Sequence, residues 1–405
     1  MPQERVVLHM DLDSFFVSVE RLLDRRLHGV PVLVGGISDR GVVAACSYEA
    51  RQTGVRSGMP MRMARELCPE AVIVRGNSME YTKHSKVVTD IVREAVPVLE
   101  KASIDEFYAD LSGMDRFFGT YQFAQELRDR VIRESGLPIS FGLSTSKTVA
   151  KVATGEAKPN NHRHVPRGVE RPFMAPLSVR KIPMVGEKTY QTLRTLGVQR
   201  IATLQEMPSE LLYQVLGKPG LDLWSKAQGV DDRPVKPYSE RKSISTERTF
   251  EQDTLDEHKL RGMLSAMAEN LAFQLRRGHR LASNLAVRIR YADFQTVSRQ
   301  RQIPYTASDE VLLEVAEGLF KQLHDRRQRV RLIGVRYSGL VGGGEQFGLF
   351  EFDDRGHRLS EAMDRIRARY GDRAVVRAFG MAAQTIGRAN PFTGDPPPLL
   401  ANRKQ

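Results

Sequence analysis

The stretch Val6-Val7-Leu8-His9-Met10-Asp11-Leu12-Asp13-Ser14-Phe15-Phe16 decides how the chain is read. Val6 to Met10 reads as a buried strand ending at Asp11-Leu12-Asp13, after which Asp13 or Ser14 can cap a helix through Phe15, Phe16, Val19 and Leu22. An acid at the end of an apolar strand is costly unless its charge meets a cation. A second such place lies in Leu99–Leu111, strand-like except where Ser103-Ile104-Asp105-Glu106 interrupts it. Adjacent residues on a regular strand face opposite ways, so Asp105 and Glu106 converge only at a turn or irregular tip. Carboxylate oxygens suit Mg²⁺, and two such ions ~4 Å apart clamp both the attacking and the leaving oxygen of a phosphoryl transfer. The plainer alternative has Asp13 capping its helix and Asp105-Glu106 decorating a hairpin. Asp13 is expected to be that cap. For Asp11, Asp105 and Glu106 the residues alone leave both readings open.

Outward from these acids, strands and helices mix. Val30–Val34 and Gly41–Ala45 read as strands, Tyr48–Gln52 as a short helix stopped by Gly54, and Pro60 opens another helix through Met63 and Leu67. Ser78–Ala95 carries Val87, Val88, Ile91, Val92 and Ala95 at helical spacing; Phe123–Glu134 is amphipathic helix, Pro138–Leu143 strand, and Ser146–Thr154 helix. From Arg167 to Gly229 the pattern is all-helical, and Val230–Ser239, with Pro234 and Pro237 among charges, reads as an exposed linker. Arg241–Leu340 mixes two long helices with alternating strands, and Gly342-Gly343-Gly344 precedes a C-terminal extension. The four prolines of Asn390–Gln405 mark a tail with little to bury. The whole is an α+β multidomain chain.

The 405 residues carry 61 Lys plus Arg against 49 Asp plus Glu, a net charge of +12 that suits a polyanion such as nucleic acid. With 41% apolar and 27% charged residues the chain is globular and soluble. Cys46 and Cys68, the two cysteines, exclude a disulfide scaffold and a Cys-based zinc site. The N-terminus has no signal-peptide pattern and no apolar run nears the ~20 residues of a membrane span, so a cytoplasmic protein is expected.

Four segments carry a resemblance: Asp11-Leu12-Asp13-Ser14-Phe15-Phe16, Ser47-Tyr48-Glu49-Ala50-Arg51, Ser103-Ile104-Asp105-Glu106 and Ala157-Lys158-Pro159-Asn160. In this order and spacing the chain resembles a Y-family translesion DNA polymerase of the bacterial DNA polymerase IV type, a match reaching to about residue 385. The resemblance implies that Asp11, Asp105 and Glu106, with the carbonyl of Leu12, hold two Mg²⁺ (or Mn²⁺) ions. It implies attack of a primer 3′-hydroxyl on the α-phosphate of a deoxynucleotide, with pyrophosphate leaving. Tyr48 and Arg51, three apart on one helical face, and Lys158 would grip the triphosphate. Phe15 would adjoin the nucleotide and Phe16 would be the steric gate against a ribose 2′-hydroxyl. One departure is Asn161 in place of the usual glycine, followed by His162-Arg163-His164, which is expected to be a solvated basic loop.

Ile182-Pro183-Met184-Val185-Gly186-Glu187-Lys188 resembles a helix–hairpin–helix, with Gly186 and Lys188 facing DNA phosphate and Met184 where a glycine is usual. Residues 241–340 hold 18 Lys plus Arg against 12 Asp plus Glu, half of the net charge. There Leu285, Val287, Ile289 and Tyr291 alternate with Ala286, Arg288 and Arg290, and Arg336 alternates with Val335 and Tyr337. Arginines on an open sheet face suit phosphate tracking, with Lys242 entering it. Gln346-Phe347-Gly348-Leu349-Phe350 resembles the peptide that docks bacterial polymerases on the sliding clamp, through Gln346, Leu349 and Phe350. Leu359–Arg377 reads as a helix. The resemblance implies a right-hand polymerase: palm 1–14 and 78–167, small fingers 15–77, helical thumb 168–230, linker 231–240, α/β little finger 241–340 and extension 341–405. Small fingers and no room for a proofreading domain of ~150 residues point to an inaccurate, weakly processive enzyme. Its expected partners are primer–template DNA, deoxynucleotide triphosphates and the clamp, with no membrane and a monomeric state. A DNA-binding relative without catalysis and a nucleotidyl cyclase are the rival readings.

Overall fold

The structure, a computed structural model, describes residues 4–114, 119–343, 355–371 and 374–381. Two compact units meet in sequence at Ser239 and Glu240. Along the first run β1 (Val7–Leu12), α1 (Phe15–Leu23), β2 (Val32–Gly35), β3 (Val43–Cys46), α2 (Tyr48–Gln52), α3 (Met61–Leu67), β4 (Val72–Arg75), α4 (Ser78–Ala95), β5 (Val98–Lys101), β6 (Glu106–Asp110), α5 (Thr120–Ser135), β7 (Ile139–Ser144), α6 (Lys147–Ala157) and β8 (His162–His164). Five helices close it: α7 (Glu170–Met174), α8 (Glu187–Thr195), α9 (Ile201–Glu206), α10 (Ser209–Leu216) and α11 (Lys218–Ala227).

The main sheet has the order β5-β6-β1-β7-β8 and is antiparallel except for β7 against β8. On β1, Leu8, Met10 and Leu12 enter a core shared with Val88 and Val92 of α4 and Leu127 and Val131 of α5. By alternation His9 and Asp11 take the other face, where α6 lies. Gly142, opposite His9 in register, lets α6 come close: a Cβ there would stand 2.2 Å from the Ala150 carbonyl oxygen and 2.6 Å from the Thr154 nitrogen. A smaller sheet, β3-β2-β4, has its own core of Leu33, Cys46, Val55, Met61 and Cys68, while Val32 and Val34 face the main core. The helical stretch packs Ile201, Leu204, Leu212 and Leu223 against Val149, Val152 and Ala153 of α6.

Two largely exposed segments are each fastened at particular residues. The linker is pinned in its first half: Asp231 is 8% exposed, accepting from Thr148 at 2.7 Å and from Arg233, and Val235 packs with Val7 and Tyr108. The basic loop at 162–164 is an edge strand. His162 stacks on Phe141 with ring centres 5.0 Å apart, and its Nδ1 lies 2.8 Å from the Tyr121 hydroxyl. Ring contact half-buries His162, while Arg163 and His164 are exposed as expected.

The second unit comprises β9 (Ser243–Thr254), α12 (Glu257–Arg277), β10 (Arg280–Tyr291), β11 (Thr296–Thr306), α13 (Asp309–Leu323), β12 (Val330–Gly342) and α14 (Arg355–Tyr370). Its sheet, β11-β10-β12-β9, is antiparallel throughout. Because β12 separates β9 from β10, the alternating strands and helices form a split βαβ rather than a parallel sheet. Leu285, Val287, Ile289, Tyr291, Val335 and Tyr337 are buried against α12 and α13, and Arg288 and Arg336 are exposed on the other face, as the alternation predicts. The C-terminal helix α14 starts and ends earlier than its sequence suggests. It is tied down by charges: Arg276 reaches Asp309 at 2.8 Å and Asp364 at 2.6 Å, and Arg367 pairs with Glu269, both about 5% exposed or less. The peptide Gln346–Phe350 and the tail 390–405 lie outside the described residues.

Candidate active site

β1 and β6 bring the acids together. Asp11 and Glu106 are register partners, so their carboxylates leave the same face of the sheet. Asp105 sits in the bend just before β6, where Ser103 Oγ donates to its carboxylate and accepts from the backbone nitrogens of Asp105 and Glu106 at 3.2 and 3.0 Å. The Leu12 nitrogen donates to the Asp105 carbonyl at 3.0 Å and locks the bend to β1. The irregular tip that the adjacent acids require is present.

Like charges directly across a sheet repel, and the surroundings answer with cations. Lys158 Nζ bonds an Asp11 carboxylate oxygen and stands 3.5 Å from the Leu12 carbonyl. Lys151 Nζ donates to Glu106 Oε2 at 2.5 Å. Burial pushes the Asp11 carboxyl up to about 7, Glu106 and Asp105 adding to the rise and Lys158 opposing it. Burial also acts against the charge on Glu106, but His9 and Lys151 more than reverse it and hold that carboxyl at about 2. His9 Nε2, at 4.0 Å from Glu106, is beyond hydrogen-bond reach, so the Lys151 contact is the direct one. The facing acids therefore titrate apart, as a like-charged pair sharing one site does.

Asp13 overturns the capping expectation. It is 2% exposed, and the residue at the α1 N-terminus, Ser14, makes no side-chain cap. The Asp13 carboxylate instead accepts from the Tyr48 hydroxyl at 3.2 Å, Ser140 Oγ at 2.8 Å and the Asn160 nitrogen at 2.7 Å, with Lys158 Nζ 3.6 Å away. Burial and Asp13 both raise the Tyr48 phenol, which stays a donor. Arg51 lies over the Tyr48 ring at 4.9 Å, confirming their shared face. One buried acid thus joins Tyr48 and Arg51 to Lys158 and, through it, to Asp11.

Phe15 is 3% exposed and belongs to the core. Phe16 stacks on Tyr81 with centres 4.3 Å apart and planes 16° apart, and the Tyr81 hydroxyl is held by buried Glu20. Farther along, Met184, 87% exposed, takes the left-handed φ of 77° that a glycine adopts freely, and Gly186 precedes α8 with Lys188 in its first turn. Lys242, Arg288 and Arg336 are exposed in the second unit, Arg288 bonded to Glu247 at 2.8 Å and half-buried Arg290 to Thr296 at 2.8 Å.

Sequence reasoning missed Lys151, His9 and Thr154. Thr154 Oγ1 lies 2.8 Å from His9 Nδ1, and buried His9 is held neutral, its imidazole pushed down to about 4. The signal was available: Lys147, Lys151, Thr154 and Lys158 recur at helical spacing, and Lys147 reaches Glu100 at 2.6 Å from the same face.

The impB/mucB/samB family matches residues 10–155, and its C-terminal domain matches residues 241–349. DNA polymerase IV of Dehalococcoides mccartyi is 39% identical over 375 residues, covering 92% of this chain and 96% of the relative. The chain belongs to the DNA polymerase IV family. DNA polymerase IV of Desulfatibacillum aliphaticivorans is 34% identical over 383 residues, covering 93% of this chain and 96% of that one. A solved Y-family DNA polymerase chimera superposes with a TM-score of 0.75 at 26% identity, covering 84% of this chain and all of the chimera. This member is accordingly a DNA-directed DNA polymerase of the Y-family, whose members are metal-dependent nucleotidyltransferases. Among the described residues no helix is long and apolar enough to cross a membrane.

An all-oxygen donor set of Asp11, Asp105, Glu106 and the Leu12 carbonyl fits hard divalent cations, and the two ammonium groups at these acids show that the site calls for positive charge. Among the described residues no three such side chains already surround one point, and Lys151 and Lys158 bond Glu106 and Asp11.

Proposed function

We propose that this polymerase adds deoxynucleotides to a primer 3′ end by a two-metal mechanism in translesion synthesis, as a monomer of low fidelity and processivity with no proofreading of its own. The observation that carries the reading is the unbroken chain of contacts Arg51–Tyr48–Asp13–Lys158–Asp11, with Glu106 across the sheet. It sets three side chains that would grip a triphosphate, Tyr48, Arg51 and Lys158, beside two acids, Asp11 and Glu106, that would hold metal.

Asp11, Asp105, Glu106 and the Leu12 carbonyl would hold two Mg²⁺ ions, or Mn²⁺, which supply charge neutralisation at the attacking and leaving oxygens. Tyr48 and Arg51 fix the outer phosphates, the guanidinium by paired hydrogen bonds. Lys158, which bonds Asp11, would offer its ammonium to the triphosphate. Glu106, ionised far below neutral pH, stands ready as a ligand without losing a proton first. Phe16, backed by Tyr81, presents a flat ring that excludes a 2′-hydroxyl.

The separate cores support a palm of 1–14 and 78–167 with fingers of 15–77, although α1 and one face of β2 share the palm's core. Residues 168–230 form the thumb, 231–240 the linker, 241–340 the little finger and 341–405 the extension. Gly186 and Lys188 at the thumb hairpin, and Lys242, Arg290 and Arg336 beside Arg288 on the open sheet, contact DNA phosphates, and Gln346, Leu349 and Phe350 dock on a sliding clamp.

The test is primer extension on undamaged and lesion-bearing templates, with Asp105→Ala/Glu106→Ala as control. Template-dependent extension past lesions, abolished in the variant, is expected. Template-independent cyclic product, or extension surviving the double substitution, overturns the proposal.

A further inference from the structure

The open face of the second unit's sheet is not uniformly basic. In one row across the strands, Ser298, Arg288, Gly334 and Glu247 are successive register partners on β11, β10, β12 and β9. Gly334 leaves a trough in this row. A Cβ there would meet Glu247 Cγ at 2.6 Å, so the glutamate side chain lies over the glycine. It thereby spans a whole strand to bond Arg288 at 2.8 Å. The next row holds Gln300, Ala286, Arg336 and Ser245, with Arg336 the charged member. Both partners of the pair are about half exposed, with 48% of the Arg288 side chain and 40% of the Glu247 side chain open to solvent.

We propose that Glu247 limits the grip of this face on DNA by neutralising Arg288, which makes it a positioning residue for the polymerase's hold on its substrate. The inference rests on the reading of this face as a phosphate-tracking surface. A guanidinium bonded to a carboxylate presents a phosphate with a near-neutral pair, and approach of the phosphate brings two anions together. The row of Arg288 thus adds little to binding while the row of Arg336 adds a full contact. The consequence is a looser hold and earlier release during synthesis.

Binding of a fluorescein-labelled primer–template duplex of mixed sequence is titrated across a salt series with the full chain. One gained phosphate contact changes the slope of log K against log salt by ~0.9, or up to about tenfold in affinity at ~0.1 M salt. Glu247→Gln is expected to tighten binding by up to that amount, to steepen the slope by about one contact, and to lengthen the products of a single binding event. Glu247→Gln/Arg288→Gln loses the gain, and Arg288→Gln alone weakens binding less than Arg336→Gln. An unchanged or weakened Glu247→Gln, or Arg288→Gln as costly as Arg336→Gln, overturns the inference. If Arg290→Gln and Arg336→Gln also leave affinity and slope unaltered, the face itself does not track phosphate and the underlying reading falls with it. A silent Glu247→Gln beside a weakened Arg336→Gln removes the inference alone.

Discussion

Replacing Gly142 by alanine tests how the main sheet and α6 are joined. The added Cβ would stand 2.2 Å from the Ala150 carbonyl oxygen, 2.6 Å from the Thr154 nitrogen and 2.9 Å from the Ala153 Cβ, where ordinary contact begins at 3.4 Å. Two of these three atoms are backbone and cannot rotate aside, so α6 must retreat from β7 by about 1 Å. Overpacking of this kind costs about 1–3 kcal/mol, and backbone on the receiving side puts Gly142→Ala at the upper end, about 3 kcal/mol. At ~2–4 °C per kcal/mol for a unit of this size, Tm should fall by about 6–12 °C. Trp224, the single tryptophan, packs against the core that α6 shares and reports its unfolding by fluorescence. Polymerase activity should fall below what unfolding explains, because retreat draws Lys151 from Glu106 and Thr154 from His9. Gly155 on the same helix is the control. Nothing lies within 4 Å of a Cβ there, so Gly155→Ala should gain up to ~1 kcal/mol from helix propensity. A Gly142→Ala protein that melts within ~2 °C of the parent and extends primers normally would refute the close-approach reasoning.

Among the described residues, Arg367→Ala leaves buried Glu269 with only Arg377, 4.0 Å away, to answer its charge; calorimetry should show the second unit losing about 3 kcal/mol, and an unshifted transition would contradict the fastening role of α14. Asp231, held at about 2 against a usual 3.8, contributes stability that is complete above pH ~4 and disappears as pH falls toward 2, about 2 kcal/mol in all. Urea midpoints measured over that range should fall less steeply for Asp231→Asn than for the parent, and parallel curves would rule the group out. Phe16→Ala should admit ribonucleotides in primer extension; unchanged discrimination would remove the steric-gate assignment. Deleting Gln346–Phe350 should lower clamp-stimulated synthesis and spare basal synthesis, and equal losses in both would sink the docking role.

Where a segment's own pattern settled its structure, the sequence could be read almost to the residue. Tyr48–Gln52 and Ser78–Ala95 form where Gly54 and the helical spacing indicate, and Ser47 and Asn77 cap them with local hydrogen bonds. The alternation through Leu285–Tyr291 likewise named its buried face. What stayed hidden was decided by distant partners. Asp13 has every local qualification of a helix cap, yet Tyr48, Ser140 and Asn160 claim its carboxylate from three other elements. Val72–Arg75 is short and becomes a strand by pairing parallel with Val32–Gly35. His162 looked like a solvated charge until Phe141 and Tyr121 supplied ring contacts. Asp11, Asp105 and Glu106 were legible as misplaced acids, but their meeting rests on the register of β1 against β6.

Helix α2, which carries Tyr48 and Arg51, packs on the small sheet through Ala50, over an interior of eight buried side chains that include Leu33, Met61 and Cys68. Because β2 buries its other face in the main core, only the side of this layer bearing α2 and α3 can open at lower cost than the sheet bearing the acids. On the proposed reading, its loosening would release an incoming nucleotide while the strands bearing the acids remain folded. Substitutions beneath it, at Val55 or Ala64, should therefore register as weakened nucleotide affinity long before they register as heat lability.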